Sequence, residues 1–158
     1  MVKFEQISIP TRREFCACCT KAAGLLAVGA AAGCGGSPTG PSSDAQSLPS
    51  VSATVSGRTV SVAVGGTSPL ASSGGMAMTQ TSLGTFLLAR TAATSATALT
   101  ATCTHEGCTI NGASGSQFVC PCHGSTFTTS GSVVKGPANR SLQQFTAQVD
   151  GDTLTFTA

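Results

Sequence analysis

Both histidines of the protein and four of its eight cysteines fall in two short blocks in the second half of the chain. The first block, residues 103–108, reads CTHEGC, and the second, residues 120–125, reads CPCHGS. Two cysteines and two histidines at C-x-H and C-x-x-H spacing are sufficient to close a tetrahedral metal site. A structural zinc site that took one such pair from each block would leave Cys108 and Cys122 without a role. The blocks therefore indicate a metal centre held by two segments, and its type stays open at this point.

The length and charge of the chain limit what can surround this centre. A chain of 158 residues supports one ordinary domain and a tail, and only 9% of its residues are charged. The formal net charge of +2 lies in residues 1–33, which carry four cations and two anions, whereas four cations and four anions cancel in residues 34–158. A neutral body has no basic field that could hold nucleic acid or anionic lipid, so nucleic-acid binding is excluded.

Apolar and polar residues alternate in several short runs of residues 51–158, which is typical of half-buried strands. A turn signal at 56–58 separates two such runs, and Asp150-Gly151 is a strong hairpin signal near the end of the chain. The strand candidates are Val51–Val55, Val60–Val64, Phe86–Ala89, Ala96–Thr102, Phe145–Val149 and Leu154–Phe156. No segment has a convincing helical period. The sequence therefore predicts an all-β domain, a small antiparallel sandwich or barrel, with a thin core that would gain from a covalent or metal staple.

Residues 1–34 have the pattern of an export signal. Residues 11–15, TRREF, resemble a twin-arginine signal, and the apolar stretch 22–32 that follows is too short for a spanning helix, which needs about 20 apolar residues. The end of this stretch, Ala31-Ala32-Gly33-Cys34, resembles the lipobox of bacterial lipoproteins, in which the cysteine is lipidated. An ordinary cleavage site and an uncleaved helical anchor are the alternatives. All three predict a body outside the cytoplasm, periplasmic or on the outer face of the cytoplasmic membrane. Cys16, Cys18 and Cys19 have no explanation in this pattern.

Residues 35–50 are rich in Gly, Ser and Pro and contain almost nothing to bury. Such a composition is typical of a flexible tether. The chain is thus divided into a signal or anchor (1–34), a tether (35–50) and a β-domain (51–158), and we expect the domain to be tethered to a membrane.

The two cysteine–histidine blocks resemble the cluster-binding pair of Rieske iron–sulfur proteins, and the pattern of strands extends this resemblance through most of residues 50–158. The resemblance implies a subdomain of two loops that binds one 2Fe–2S cluster. Cys103 and Cys120 would ligate one iron, and His105 and His123 would ligate the other. The remaining pair, Cys108 and Cys122, matches the disulfide that joins the two loops in quinol-oxidising members.

Further positions follow from the same resemblance. Ser125 stands where the family's serine donates its hydroxyl to a bridging sulfide. Pro137, in the segment KGPA at 135–138, matches a proline loop that covers the third side of the cluster. Gly107 and Gly124 are expected to allow close approach of the backbone. Phe127 occupies a position where high-potential members have a tyrosine that bonds a ligand sulfur, so we expect a lower potential here, although Phe127 is equally well explained as a core residue.

The resemblance predicts electron transfer from a quinol to a c-type cytochrome, as the iron–sulfur subunit of a bc-type complex that contains cytochrome b. Replacing two thiolates by imidazoles leaves the oxidised centre neutral, which raises its potential to roughly −150 to +300 mV. Reduction makes the cluster more negative, so electron uptake and proton uptake are coupled at His105 and His123. The alternatives are a stand-alone exported Rieske carrier, the small subunit of a periplasmic oxidase and, more remotely, a zinc-stapled binding module.

Overall fold

Small β-prone residues and frequent turns divide the body of the chain into thirteen short strands. A computed structural model describes residues 45–158, and this part of the chain contains no helix. The strands are β1 (Gln46–Ser47), β2 (Ala53–Ser56), β3 (Thr59–Ala63), β4 (Met76–Thr81), β5 (Gly84–Ala92), β6 (Ser95–Thr100), β7 (Gly112–Ser114), β8 (Gln117–Val119), β9 (Thr126–Thr128), β10 (Val133–Lys135), β11 (Gln144–Phe145), β12 (Ala147–Asp150) and β13 (Thr153–Thr157).

The strands form three antiparallel sheets. The central sheet has the order β11-β6-β5-β4, the outer sheet has the order β12-β13-β3-β2, and a five-stranded sheet has the order β1-β7-β8-β9-β10. The two cysteine–histidine blocks flank β7 and β8, so we call the five-stranded sheet the cluster-side sheet. The predicted all-β antiparallel fold is confirmed.

The central sheet is buried on both faces. In β5, Leu87 and Ala89 pack in a core with Cys103 and Cys120, whereas Phe86 and Leu88 pack in a second core with residues of the outer sheet. Successive side chains of a strand point to opposite faces, so one strand supplies both cores. This explains why residues 86–89 are apolar without alternation.

Both predicted hairpins are present. The chain reverses at Gly57 between β2 and β3, and at Gly151 between β12 and β13, with positive φ angles of 61° and 54° that favour glycine. One strand prediction was wrong in detail. Residues 145–149 do not form a single strand, because Phe145 pairs with Ala98 in the central sheet whereas β12 pairs with β13 in the outer sheet.

The domain begins before residue 51. Gln46 and Ser47 form β1 on the edge of the cluster-side sheet, paired with Ala113 and Gly112 of β7. Leu48 is 7% exposed and packs in the same core as Cys103. The last residues of the segment expected to be a tether are therefore part of the domain, because Leu48 supplies an apolar anchor.

The export signal, Cys34 and most of the expected tether lie outside the described residues. Among residues 45–158, no helix has the length and apolar character needed to cross a membrane.

Candidate metal centre

The first block forms a tight loop between β6 and β7. We call residues 103–108 the first loop. The backbone N–H of Cys103 donates to the carbonyl of Cys108 at 2.8 Å, and the N–H of Gly107 donates back to the carbonyl of Cys103 at 2.9 Å. A bridge between Thr102 and Thr109 closes the base of the loop. Both ends of the block are therefore held by the backbone itself.

The second block repeats this arrangement between β8 and β9. We call residues 120–125 the second loop. The N–H of Cys120 donates to the carbonyl of Ser125 at 2.9 Å, and the N–H of Gly124 donates to the carbonyl of Cys120 at 3.1 Å. The two loops thus share one backbone pattern. The N–H of the first residue donates to the carbonyl of the sixth, and the N–H of the fifth donates to the carbonyl of the first.

Glycine is required at the fifth position of each loop by backbone conformation. Gly107 has φ of 77° and Gly124 has φ of 70°, in the left-handed region that other residues rarely adopt. No atom of the described residues lies within 4 Å of the position that a Cβ would take at Gly107, and the expected close approach of the backbone stays a prediction.

A disulfide joins the two loops. Cys108 and Cys122 are bonded, with Cα atoms 6.6 Å apart, and 14 positions separate them in the sequence. The pairing implied by the resemblance is therefore present, and it fixes the loops side by side.

The other two cysteines, which are the first residues of the two loops, are buried free thiols. Cys103 and Cys120 are each 2% exposed and belong to the core that lies against the central sheet. Burial raises the pKa of the Cys120 thiol above its ordinary value, and the neighbouring Cys103 thiol acts in the same direction, while backbone N–H groups of Cys122 and His123 act against both. Because a metal takes the thiolate form, loading the site must release protons.

The two imidazoles lie together at the surface. The rings of His105 and His123 are 5.0 Å apart between centroids and nearly perpendicular, with side chains 29% and 39% exposed. The carboxylate of Glu106 lies 3.8 Å from Nε2 of His105 and 3.7 Å from Nδ1 of His123. The loops therefore place an exposed pair of nitrogen donors above a buried pair of sulfur donors.

A third segment is bonded to both loops. The N–H of Ala138, next to the expected proline-loop residue Pro137, donates to Oγ of the fully buried Ser125 at 3.0 Å. The hydroxyl of Thr104 in the first loop donates to the carbonyl of Arg140 at 2.6 Å. Residues 135–140 are thus held against the first and the second loop at once.

A comparison with models of protein families identifies the family of this chain. The model of the Rieske 2Fe-2S domain matches residues 49–146, more than half of the chain. The chain belongs to the Rieske family. Its domain binds one 2Fe–2S cluster, and the all-β structure with two short loops is the Rieske fold.

The Rieske relatives include iron-sulfur subunits of cytochrome b6-f complexes. The chain is 49% identical over 59 residues to the cytochrome b6-f complex iron-sulfur subunit of Synechococcus sp. strain JA-3-3Ab, a match that covers 37% of this chain and 34% of that protein. It is 39% identical over 59 residues to the corresponding subunit of Chlorobaculum thiosulfatiphilum, with 37% and 33% covered. The chain thus matches about one third of the length of these relatives.

Among solved structures, the chain resembles the cyanobacterial plasma membrane Rieske protein PetC3 from Synechocystis PCC 6803. The sequences are 34% identical, the TM-score is 0.46, and the match covers 53% of this chain and 87% of that chain.

The donors of this Rieske domain fit a binuclear cluster better than a single ion. The thiol of Cys103 is near enough to Cys120 to raise its pKa, and the donors of His105, Glu106 and His123 lie within 4.8 Å of one another. Among residues 45–158, no set of three or more donors that mixes thiols with imidazoles is this close. A tetrahedral zinc site would need such a mixed set. Two like pairs match the two irons of a Rieske cluster.

The hydroxyl of Ser125 also fits this cluster. Its oxygen accepts from Ala138, and its only hydrogen bond among the described residues is as this acceptor, so its own proton remains to be donated. A fully buried hydroxyl with a free proton is expected where a sulfide would accept it.

Phe127 is fully buried in β9 and packs in the same core as Cys103 and Cys120, as expected for a core residue.

Two residues of the site were not predicted from the sequence. Thr104 anchors the third segment, and Glu106 lies beside both imidazoles, with 61% of its side chain exposed. The sequence signal that could have identified both is their position on either side of His105 in the first block.

Proposed function

We propose that this protein is an exported electron carrier of the quinol-oxidising Rieske type, which passes electrons from a quinol to a c-type cytochrome as the iron–sulfur subunit of a bc-type complex. The observation that carries the proposal is the pair of exposed imidazoles above two buried thiols, in loops that a disulfide joins. The relatives that are cytochrome b6-f iron-sulfur subunits support the same assignment.

In this proposal each loop supplies one ligand of each kind. Cys103 and Cys120 would hold one iron as thiolates, and His105 and His123 would hold the other. A bound cluster would supply one-electron chemistry. The two thiols are buried, so water would be kept from them, and the hydroxyl of Ser125 would be free to donate to a sulfur of the cluster. Hydrogen bonds to the sulfurs favour the reduced state, which has more negative charge.

The imidazoles are the contact point for a substrate in this proposal. Their exposure, 29% and 39% of each side chain, allows a quinol hydroxyl to approach one ring nitrogen. A quinol bonded there would give up an electron and a proton together, with the imidazole as the proton acceptor. The disulfide and residues 135–140 keep the rings in place during this step.

The proposal also places the domain outside the cytoplasm. The twin-arginine pattern at 11–15 supports export as a folded protein with the cluster already inserted, and residues 35–44 supply the tether, with Cys34 as a candidate lipid anchor. The disulfide supports an oxidising compartment, because such bonds are rare in the cytosol.

A redox titration of the purified protein followed by electron paramagnetic resonance tests the proposed function. We expect a Rieske-type signal that decylplastoquinol reduces, and a midpoint potential that falls as the pH rises above neutral. A cluster that only dithionite reduces, near or below about −100 mV, would overturn quinol oxidation. Stoichiometric zinc without iron would overturn the redox function altogether.

A stand-alone exported carrier or the small subunit of a periplasmic oxidase is the second candidate. The observation that favours it is the short connection between the two loops, in which β7 and β8 are three residues each and add little surface for a large complex. Co-purification with cytochrome b from detergent-solubilised membranes distinguishes the two candidates.

A further inference from the structure

Glu106 places a negative charge at the exposed end of the two loops. Its carboxylate oxygens lie 3.8 Å from Nε2 of His105 and 3.7 Å from Nδ1 of His123, and 61% of its side chain is exposed. Any molecule that reaches the imidazoles must therefore also meet this carboxylate. We call the surface formed by these three side chains the tip.

Within the described part of the chain, this carboxylate forms no ion pair with a lysine or an arginine. Its charged contacts among residues 45–158 are the two histidines alone. Arg140 lines the same cleft of about 650 Å³ beside His105 without pairing with Glu106. The other two acidic side chains in this part of the chain, Asp150 and Asp152, belong to the β12–β13 hairpin of the outer sheet.

An unpaired carboxylate restricts what the tip can dock against. Docking removes water from the contact surface, and a charge that loses its water without gaining a partner is strongly unfavourable. An apolar pocket would impose this penalty on Glu106. A receiving surface with an arginine or lysine would avoid it and would speed the encounter by electrostatic attraction.

We infer that Glu106 determines partner choice at the tip, and that the redox partner docks there with a cationic protein surface that presents an arginine or lysine to this carboxylate. The inference rests on the proposed function, since it names the kind of partner that meets the proposed cluster site. The inference distinguishes this tip, which would dock on a cationic surface, from a tip that would insert into an apolar pocket.

Electron transfer to small ions of opposite charge tests the field at the tip without a physiological partner. Ascorbate- or dithionite-reduced holoprotein is mixed in a stopped-flow device with tris(1,10-phenanthroline)cobalt(III), a cation, or with hexacyanoferrate(III), an anion. Removal of one charge near the contact point by Glu106→Gln should lower the ratio of the cation rate to the anion rate by about three- to tenfold at low ionic strength. The change should shrink as salt is added.

Asp150→Asn is the matched control, because it removes the same charge from the exposed end of β12 in the outer sheet. This variant should leave the ratio within about twofold of the unmodified protein, since Asp150 lies outside the tip. An unchanged ratio in Glu106→Gln, or an equal change in Asp150→Asn, would overturn the inference. The tip would then be expected to dock in an apolar pocket of its partner.

A protein probe extends the test to docking. Reduced Glu106→Gln should transfer electrons more slowly than the unmodified protein to a strongly basic c-type cytochrome and faster to a strongly acidic one, with a weaker salt dependence in both cases. Equal rates for both cytochromes would overturn the inference. If Glu106→Gln fails to load its cluster, Glu106→Ala and the salt dependence of the unmodified protein supply the same comparison.

Failure of this inference and failure of the proposed function are distinguishable. The rates start from chemically reduced protein, so they do not require quinol oxidation. A protein that decylplastoquinol does not reduce, but whose rate ratio depends on Glu106, would retain the inference and lose the quinol.

Discussion

Single hydrogen bonds around the two buried thiols are expected to set the potential of this domain. Ser125 supplies one hydroxyl whose proton is free to be donated, and Ala138 fixes the position of its oxygen. Phe127 lies in the same core as both thiols but has only a phenyl ring. The side chain at position 127 therefore determines whether the sulfurs of the site have one hydroxyl donor or two.

Phe127→Tyr should raise the midpoint potential. A phenol at this position would bond a ligand sulfur and stabilise the reduced state. A net hydrogen bond of about 1 kcal/mol corresponds to a shift on the order of 40 mV for one electron. Protein-film voltammetry measures this shift. Phe118→Tyr, which adds a hydroxyl to another fully buried ring of the same core, is the control, and an equal shift in both variants would contradict the expected sulfur contact.

At the residue scale, the disulfide between Cys108 and Cys122, which the resemblance of the two blocks implied, is present. The four ligand positions in the same blocks stay a prediction. The contacts of Thr104 with Arg140 and of Ala138 with Ser125 were not predictable, because they join residues 36 and 13 positions apart.

Among the structural elements, the two loops depend on their covalent connection. The disulfide between Cys108 and Cys122 closes a loop with a sequence separation of 14, for which chain entropy alone accounts for about 3 kcal/mol. The double variant Cys108→Ser and Cys122→Ser should lower the free energy of unfolding by about that amount and hasten loss of the cluster. Urea unfolding and the decay of visible absorbance measure the two effects. A variant that keeps its cluster as long as the unmodified protein would contradict a supporting role for the disulfide.

Strand β5 supplies side chains to both cores, and substitutions in it should separate stability from redox properties. Leu87 and Leu88 are both fully buried, and each Leu→Ala change should cost about 2–5 kcal/mol of stability. Only Leu87 packs in the core that contains Cys103 and Cys120. Leu87→Ala should therefore shift the midpoint potential, and Leu88→Ala should leave it unchanged. Equal shifts in the two variants would mean that the two cores are not independent.

Element boundaries were harder to predict than element type. Strand β4, with the sequence MAMTQT, was missed because its three apolar residues are consecutive and do not alternate with polar ones. The cluster-side strands β7 to β10 have three residues each, too short for a period to be visible. Residues 145–149 looked like one strand because the alternation continues through the point where the chain moves from the central to the outer sheet.

At the scale of the whole molecule, the export prediction has a direct test. Replacing Arg12 and Arg13 by lysine should abolish transport, because the twin-arginine route requires the pair, and the folded protein should accumulate in the cytoplasm. Cell fractionation with antibody detection measures this, and Arg58→Lys in the β2–β3 turn is the control. Normal export of the double variant would contradict the predicted twin-arginine signal.

The proposed lipid anchor has a test of its own. In the variant Cys34→Ser, release of the protein from the membrane would identify Cys34 as the lipid anchor.

The position of β1 has a mechanical consequence. The chain joins the domain at the edge of the cluster-side sheet, where Gln46 and Ser47 pair with β7 next to the first loop. A force applied to the chain before residue 46 therefore acts directly on the cluster-side sheet. The outer sheet is not attached to this end of the chain. In a single-molecule pulling experiment with handles at residues 45 and 158, β1 should be the first strand to yield.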